Sequence, residues 1–285
     1  MNILVTGSNG QLGNELRKIS GMFPDNSFFF TDIDELDISN SVAVNNFFES
    51  KRIQTVINCA AYTAVDKAEN DEPTAMLINA SSVRYLAKAC SKSNATLIHI
   101  STDYVYDGNA CKPYKEGHPT APASAYGRSK LAGEEAAMST PKALIIRTSW
   151  LYSSFGNNFV KTMIRLGKER DTLNVVFDQT GTPTYAADLA LIIMEIVRKT
   201  EKNDLKTGIF HYSNEGVCSW YDFAREIMQQ AGLKCDVKPI ETKDYPLPAP
   251  RPHYSVLNKT RIKTVYGVEI PHWKDSLMQF FCDIA

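Results

Sequence analysis

The first half of the chain alternates short apolar segments with segments of helical spacing, and this alternation restricts the possible folds more than any other sequence feature. The apolar segments begin at Asn2, Ser27, Thr55, Thr96 and Ala143, and a segment of helical spacing follows each of the first four. Such alternation predicts a parallel sheet covered by helices on both faces. The apolar runs are nearly continuous, as in strands that are buried on both sides. We therefore predict an α/β fold with a doubly wound parallel sheet.

The predicted elements of this half are strands over 2–6, 27–32, 55–61, 96–101 and 143–148, and helices over 11–19, 41–51, 73–93 and 124–138. After Trp150 the alternation is looser, with helices expected over 158–169, 186–199, 219–231 and 273–282 and strands over 173–177 and 209–213. Prolines occupy alternate positions from Pro246 to Pro252. Because this spacing suits neither a helix nor a central strand, we predict an extended surface loop there.

The composition argues against several classes of protein. A formal net charge of −1 over 285 residues carries no signature of nucleic-acid binding, and no basic cluster suits anionic lipid. The most apolar stretch, 189–197, is too short to span a bilayer. The chain enters a strand pattern at once, without a charged leader, so we expect a cytoplasmic protein. The six cysteines and five histidines lack disulfide or metal-ligand spacing, so we expect reduced thiols and no metal.

A glycine-rich turn directly follows the first predicted strand. Gly7, Gly10 and Gly13 form a Gly-x-x-Gly-x-x-Gly pattern that opens a helix. The first glycine permits a tight turn, the second lets the backbone approach a diphosphate, and the third lets the helix pack on the sheet. The pattern predicts a Rossmann-like dinucleotide site at the helix N-terminus, although an ordinary strand–helix turn could carry the same glycines. The cofactor contacts predicted here are Gly7, Asn9, Gly10, Gln11, Leu12 and Gly13.

An acidic residue ends the second predicted strand. In this place Asp32 would hydrogen-bond the adenosine ribose and favour NADH, although it could also simply cap the turn. Arg17 or Lys18 could reach a 2′-phosphate, so NADPH and NADH both remain open. The contacts predicted on this side are Asp32, Ile33, Asp37 and Ile38.

Three side chains suited to proton transfer follow in the sequence. Tyr126 and Lys130 are four residues apart and share one face of a predicted helix, and Thr102 ends the fourth predicted strand. We expect the ammonium to lower the pKa of the phenol. A Tyr-x-x-x-Lys pair arises by chance in a chain of this composition, so its position carries the weight. It follows a strand whose carboxyl end opens into the crevice of a doubly wound sheet.

Along nearly its whole length the chain resembles the dTDP-4-dehydrorhamnose reductases of the extended short-chain dehydrogenase/reductase superfamily. The segments that carry the resemblance are 58–69, 101–108, 126–134, 147–150, 156–159, 178–179, 183–184 and 251–252. The resemblance implies NADPH- or NADH-dependent reduction of the C4 ketone of dTDP-4-dehydro-L-rhamnose to dTDP-L-rhamnose. It also implies a dinucleotide-binding domain over 1–148, to which 185–212 return, and a smaller interwoven substrate-binding part formed mainly by 149–184 and 213–285.

The resemblance assigns individual roles. The implied catalytic residues are Thr102, Tyr126 and Lys130, with Tyr126 protonating the C4 oxygen and Lys130 also holding the nicotinamide ribose. The implied substrate contacts are Val65, Thr102, Asp103, Tyr104, Tyr126, Trp150 and Arg251, and the implied cofactor contacts add Ala60, Ala61, Tyr62, Tyr126 and Lys130. The face of Trp150 suits a hexose and Arg251 suits a diphosphate. Trp150 could instead belong to the core, Arg251 to the surface, and Val65 to helix packing alone.

Magnesium binds at a dimer interface in some relatives, through several glutamates. Glu15 stands at one matching position, but 185–188 and 278–281 do not supply the others. We therefore expect Glu15 to be a carboxylate of the first helical turn, and the protein to be a monomer or a weak homodimer without metal.

Two other functions are considered. Sugar-nucleotide dehydratases carry Asp-Glu after the threonine, where this chain has Asp103 and Tyr104, and related epimerases hold NAD permanently. The regulatory subunit of methionine adenosyltransferase is a non-catalytic relative, and the complete set of Thr102, Tyr126 and Lys130 favours catalysis instead.

Overall fold

The computed structural model describes residues 1–202 and 204–284. Its strands are β1 (Asn2–Thr6), β2 (Ser27–Thr31), β3 (Thr55–Asn58), β4 (Thr96–Thr102), β5 (Ala143–Thr148), β6 (Leu151–Tyr152), β7 (Thr172–Val176), β8 (Thr180–Gly181), β9 (Thr184–Tyr185), β10 (Gly208–His211), β11 (Cys218–Ser219) and β12 (Asp236–Ile240). Its α-helices are α1 (Gln11–Ile19), α2 (Ser41–Lys51), α3 (Val65–Ala68), α4 (Glu72–Met76), α5 (Ser82–Ser93), α6 (Ala125–Ala137), α7 (Phe159–Glu169), α8 (Ala186–Glu201), α9 (Trp220–Gln230), α10 (Thr260–Tyr266) and α11 (Trp273–Ile284).

Six strands form one parallel sheet in the order β10-β5-β4-β3-β1-β2. The chain leaves β1 toward β2 on one side and then returns to add β3 on the other side. A crevice therefore opens between the carboxyl ends of β1 and β3, where ligands bind in doubly wound sheets. The predicted fold class is confirmed.

The sheet separates two apolar cores. Ile3 and Val5 of β1 join one core with α1 and α8, while Leu4 joins the other core with α2, α5 and the end of α6. Successive side chains of a strand point to opposite faces, so a continuously apolar strand supplies both cores.

No helix in 1–202 or 204–284 has the length and apolar character needed to cross a membrane.

A third core lies in the second half of the chain. It packs residues of α7, α9 and α11 against the parallel pair β7–β12. The pairs β8–β11 and β6–β9 connect this region to the end of β5. Helix α10 instead packs on the main sheet, because Ile262 and Tyr266 belong to the same core as α1 and α8.

Two predicted elements differ from the structure. The strand predicted over 55–61 ends at Asn58, because the Asn58 side chain accepts the amide of Ala60 and turns the chain out of the sheet. The helix predicted over 73–93 is interrupted by a π-helical turn over Leu77–Ser81. That turn places the Asn79 side chain against both backbone groups of Tyr62. The proline-rich segment 246–252 has neither helix nor strand, as predicted.

Candidate active site

The glycine turn after β1 packs tightly on the chain that follows β3. Gly7 has φ +64°, and a Cβ there would lie 2.6 Å from the Ala60 Cα. A Cβ on Gly13 would lie 2.5 Å from the Ser8 Cα, so α1 can begin at this place only without that side chain. Gly10 caps α1 and offers its first amides no side-chain acceptor. These amides are free to bind an anion such as a diphosphate.

One side of the turn borders a cavity of about 450 Å³, called here the first cavity. Of the predicted contacts it is lined by Gly7, Gly10, Asp32, Ile33, Asp37, Ile38, Ala60 and Ala61. Asp32 accepts the amide of Asn9 at 3.0 Å, so it also caps the turn, as the alternative interpretation held. Arg17 is engaged nearby, donating to Ser8 and lying over the Phe30 ring.

The other side borders a second cavity of about 550 Å³. It is lined by the predicted residues Gly7, Gly10, Gln11, Leu12, Gly13, Ala61, Val65, Thr102, Asp103, Tyr104, Tyr126, Lys130 and Trp150. Gly7, Gly10, Cys59 and Ala61 line both cavities, so the two form one cleft along the carboxyl edge of the sheet. Most of the predicted site residues therefore lie together.

Three predicted contacts line neither cavity. Asn9 is exposed on the turn, and the backbone of Tyr62 is held by Asn79. Arg251 forms an ion pair with Asp66 at 2.7 Å and borders, with Tyr104, a small separate cavity of about 20 Å³. The guanidinium thus lies behind Tyr104 and is already paired.

The end of β4 brings a hydroxyl and a buried carboxyl together. Thr102 donates to Asp103 at 2.9 Å and accepts the amide of Tyr104 at 3.2 Å. Burial raises the pKa of Asp103 to about 7, against the lowering effect of its hydrogen bond with Thr102. Asp103 is therefore an acid that titrates near neutral pH.

The phenol and the ammonium of α6 are both buried. Burial raises the pKa of Tyr126 to about 12, opposed by its hydrogen bond with Thr102. The expectation that the pKa of Tyr126 is lowered is wrong for this structure, because burial dominates and raises it. The ammonium donates instead to the Ile100 carbonyl at 2.7 Å. Burial lowers the pKa of Lys130 to about 8, while the Glu134 carboxylate acts in the opposite direction.

A buried ion pair lies behind Lys130. Glu134, one turn further along α6, accepts two hydrogen bonds from Arg147 of β5, at 2.8 and 2.6 Å. Ser101 of β4 donates to the same carboxylate, and Arg147 also donates to the Tyr106 hydroxyl. This network links α6 to β4 and β5. It thereby sets the position of the Tyr126 and Lys130 side chains in the second cavity.

Sequence reasoning missed several lining residues. They include Cys59 and Leu77 of the first cavity, and Ser101, Leu151, Asn157, Asn158 and Trp220 of the second. Cys59 directly follows β3, and its position beside the crevice could have predicted that it lines the cleft. Trp220 carried no signal, because its approach depends on the packing of α9.

Glu15 differs from its expected position. It is the fifth residue of α1, beyond the first turn, and it is fully buried with no hydrogen-bond partner for either oxygen. Burial raises its pKa. Across 1–202 and 204–284 no group of three or more His, Cys, Asp or Glu side chains is arranged to hold a metal ion. All six cysteines are free.

The family model described as the RmlD substrate binding domain matches residues 1–285. The chain belongs to this family. The dTDP-4-dehydrorhamnose reductase of Aggregatibacter actinomycetemcomitans is 41% identical to it over 286 residues, covering 96% of each chain.

Two solved structures resemble this member of the RmlD family closely. A dTDP-4-dehydrorhamnose reductase from Clostridium acetobutylicum is 46% identical, with a TM-score of 0.95 over 100% of this chain and 99% of that one. The reductase from Bacillus anthracis, solved in complex with NADP, is 40% identical, with a TM-score of 0.94 over 99% of each chain. The predicted family resemblance is confirmed.

Proposed function

We propose that this chain is an NAD(P)H-dependent reductase that converts the C4 ketone of dTDP-4-dehydro-L-rhamnose to the alcohol of dTDP-L-rhamnose. One observation supports this most strongly: Thr102, Tyr126 and Lys130 line the same cavity as the glycine turn. A cleft that joins a diphosphate-binding turn to a proton donor suits hydride transfer to a carbonyl. The relatives that carry this activity in their names match the chain from end to end.

The residues around the turn fit a dinucleotide. The uncapped amides of α1 would hold the diphosphate, Asp32 the adenosine ribose, and Asp37 with Ile38 the adenine side of the first cavity. Gly7 and Gly10 line both cavities, so the surface of the turn faces the cleft. When bound, NADPH or NADH supplies the hydride.

Tyr126 is the proton donor in this proposal. With a pKa near 12 the phenol is protonated at neutral pH and can give its proton to the C4 oxygen. Thr102 hydrogen-bonds the phenol and would hold the same oxygen. Tyr126 donates to the atom where negative charge develops, which stabilises the transition state, and Thr102 adds a second donor there only when its proton turns away from Asp103.

Lys130 has a second role in the proposal. With a pKa near 8 it is largely cationic at neutral pH, and its bond to Ile100 fixes the ammonium deep in the second cavity. An ammonium in this place would donate hydrogen bonds to the hydroxyls of the nicotinamide ribose.

The substrate contacts proposed are Val65, Asp103, Tyr104, Trp150 and Arg251. The first four line the second cavity with Tyr126. Arg251 would bind the diphosphate only from its position behind Tyr104, beside its partner Asp66. We further propose the division into a dinucleotide-binding part over 1–148 with 185–212 and a substrate-binding part over 149–184 with 213–285. A cytoplasmic location and a monomer or weak homodimer also stay proposals.

The deciding experiment follows oxidation of NADPH and of NADH with dTDP-4-dehydro-L-rhamnose made in place by the two preceding enzymes. The proposal expects oxidation that requires the sugar nucleotide, and dTDP-L-rhamnose as the product. Purified protein that carries tightly bound NAD and consumes no reduced cofactor would indicate an epimerase or dehydratase. Binding to a methionine adenosyltransferase without cofactor oxidation would indicate a regulatory subunit.

A further inference from the structure

Two indole rings stack at the wall of the second cavity. The ring centroids of Trp150 and Trp220 lie 3.6 Å apart at an interplanar angle of 11°, and both residues line the cavity of Tyr126 and Lys130. At this separation the two rings overlap almost completely. One face of Trp150 is therefore covered by Trp220, and a sugar cannot stack on that face.

The backbone holds Trp150 in a strained conformation. Its φ of +49° is costly for a residue with a large side chain. The Trp150 carbonyl accepts the amide of Thr184 at 3.1 Å. The ring also needs a glycine beside it, since a Cβ on Gly181 would lie 2.6 Å from the Trp150 Cε2. Strain that several contacts maintain together is typical of functional sites.

Separate elements fix Trp220. Strand β11 pairs with β8 at Cys218 and Gly181, and Ser219 with Asp222 forms a capping box that sets the start of α9. Trp220 is the first residue of that helix, and the Phe159 ring packs on it at 4.5 Å. The two indoles, from chain segments far apart in sequence, are thus held against each other by rigid elements on both sides.

We propose that Trp220 is a positioning residue for the sugar of the substrate. It holds the Trp150 ring in place, so that the two form an apolar wall for the C–H face and C6 methyl group of a 6-deoxy-4-ketohexose. This inference rests on the proposed function. An apolar wall suits a methyl group at C6 and would leave a hydroxyl there without a partner. The inference therefore expects thymidine diphosphate without its sugar to make no contact with the wall.

The test measures calorimetric affinities of dTDP-L-rhamnose and of dTDP for the wild type, Trp220→Leu and Trp220→Phe. Trp220→Leu should lower the affinity for dTDP-L-rhamnose roughly tenfold and the affinity for dTDP less than about twofold, because only the sugar contacts the wall. Trp220→Phe keeps a ring and should hold both affinities within about threefold of the wild type. Tyr221→Ala is the matched control, since the next residue of α9 lines a different surface groove.

An equal loss of both affinities in Trp220→Leu, or no loss in either, overturns the inference. A measurement on the wild type avoids any dependence on folding of a variant. dTDP-L-rhamnose should change the tryptophan fluorescence and dTDP should not, because only the sugar contacts the indoles. Tryptophan fluorescence that the sugar nucleotide leaves unchanged also overturns the inference. If the wild type binds neither ligand and oxidises no cofactor, the proposed function itself fails.

Discussion

Tyr126 and Lys130 share one face of α6, and burial shifts their pKa values in opposite directions. The pKa of the phenol rises to about 12 and the pKa of the ammonium falls to about 8, so both shifts favour the neutral form of the side chain. Within the second cavity this leaves a proton on the phenol, as reduction of a ketone requires. Spacing along a helix predicts which side chains share a face, while the burial of those side chains decides how they ionise.

Removing the phenolic hydroxyl tests its role directly. Tyr126→Phe should lower kcat by about 10²–10⁴-fold, because the C4 oxygen loses its proton donor. Affinity for NADPH should stay close to that of the wild type, and a fluorescence titration measures it. Tyr85→Phe, on α5 and outside both cavities, should leave kcat unchanged. A Tyr126→Phe enzyme with normal kcat would contradict the assignment.

The buried carboxyl of Asp103 predicts a pH dependence of stability. Its pKa is raised to about 7, so between about pH 4 and pH 7 the folded protein keeps a proton that the unfolded chain releases. The stability contribution is full below about pH 4 and is lost as the pH rises through 7. Asp103→Asn lacks this titration. The free energy of unfolding of the variant minus that of the wild type should therefore increase by on the order of 2–4 kcal/mol from about pH 4 to pH 7. Urea unfolding at several pH values measures the difference, and a constant difference would refute the prediction.

At the scale of elements, two glycines of the β1–α1 turn serve different needs. Gly10 has an ordinary φ of −74°, and a Cβ there would approach only the Gly7 carbonyl, at 3.2 Å. Gly10→Val should therefore fold but lose affinity for NADPH by at least about 100-fold, since the side chain occupies the diphosphate position. Gly13→Ala forces α1 away from Ser8 and should lower the melting temperature. Gly21→Ala, with open space around it, is the control for both. Cofactor titration and thermal unfolding separate these effects, and normal NADPH binding by Gly10→Val would exclude a diphosphate at this turn.

The ion pair between α6 and β5 is a second test at this scale. Glu134→Gln leaves the Arg147 guanidinium buried without its counter-ion, which should cost about 3–5 kcal/mol in the free energy of unfolding. The neighbouring Glu135 is exposed, so Glu135→Gln should change that free energy by less than about 0.5 kcal/mol. Equal stabilities of the two variants in chemical denaturation would show that the pair does not hold α6 in place.

For the whole molecule, the parallel sheet and most of the cleft were predictable from local patterns. Strand–helix alternation predicts the sheet, and the crevice then follows from the carboxyl ends of its strands. The π-helical turn around Asn79 was not predictable, because tertiary bonds to Tyr62 impose it. The stack of Trp150 on Trp220 was also not predictable from the sequence, because it joins segments far apart in the chain. Burial of Glu15 and the pairing of Arg251 with Asp66 likewise depend on long-range packing.

The assembly state should be insensitive to divalent metal. Segments 185–188 and 278–281 do not supply the glutamates that would accompany Glu15 at a metal site of the dimer interface. Molar mass by light scattering should therefore be the same with Mg²⁺ and with EDTA. A dimer that forms with Mg²⁺ and dissociates with chelator would reverse this expectation.

The position of β10, the last strand of the main sheet in chain order, has a consequence for folding during translation. Strand β10 pairs with β5 only after the intervening residues have been translated, and α8 is delivered just before it. A nascent chain of 148 residues would present an open β5 edge and an uncovered apolar face, both of which attract other chains. The six-stranded sheet is complete only when β10 has been translated, so we expect chaperones to bind the growing chain until β10 emerges from the exit tunnel.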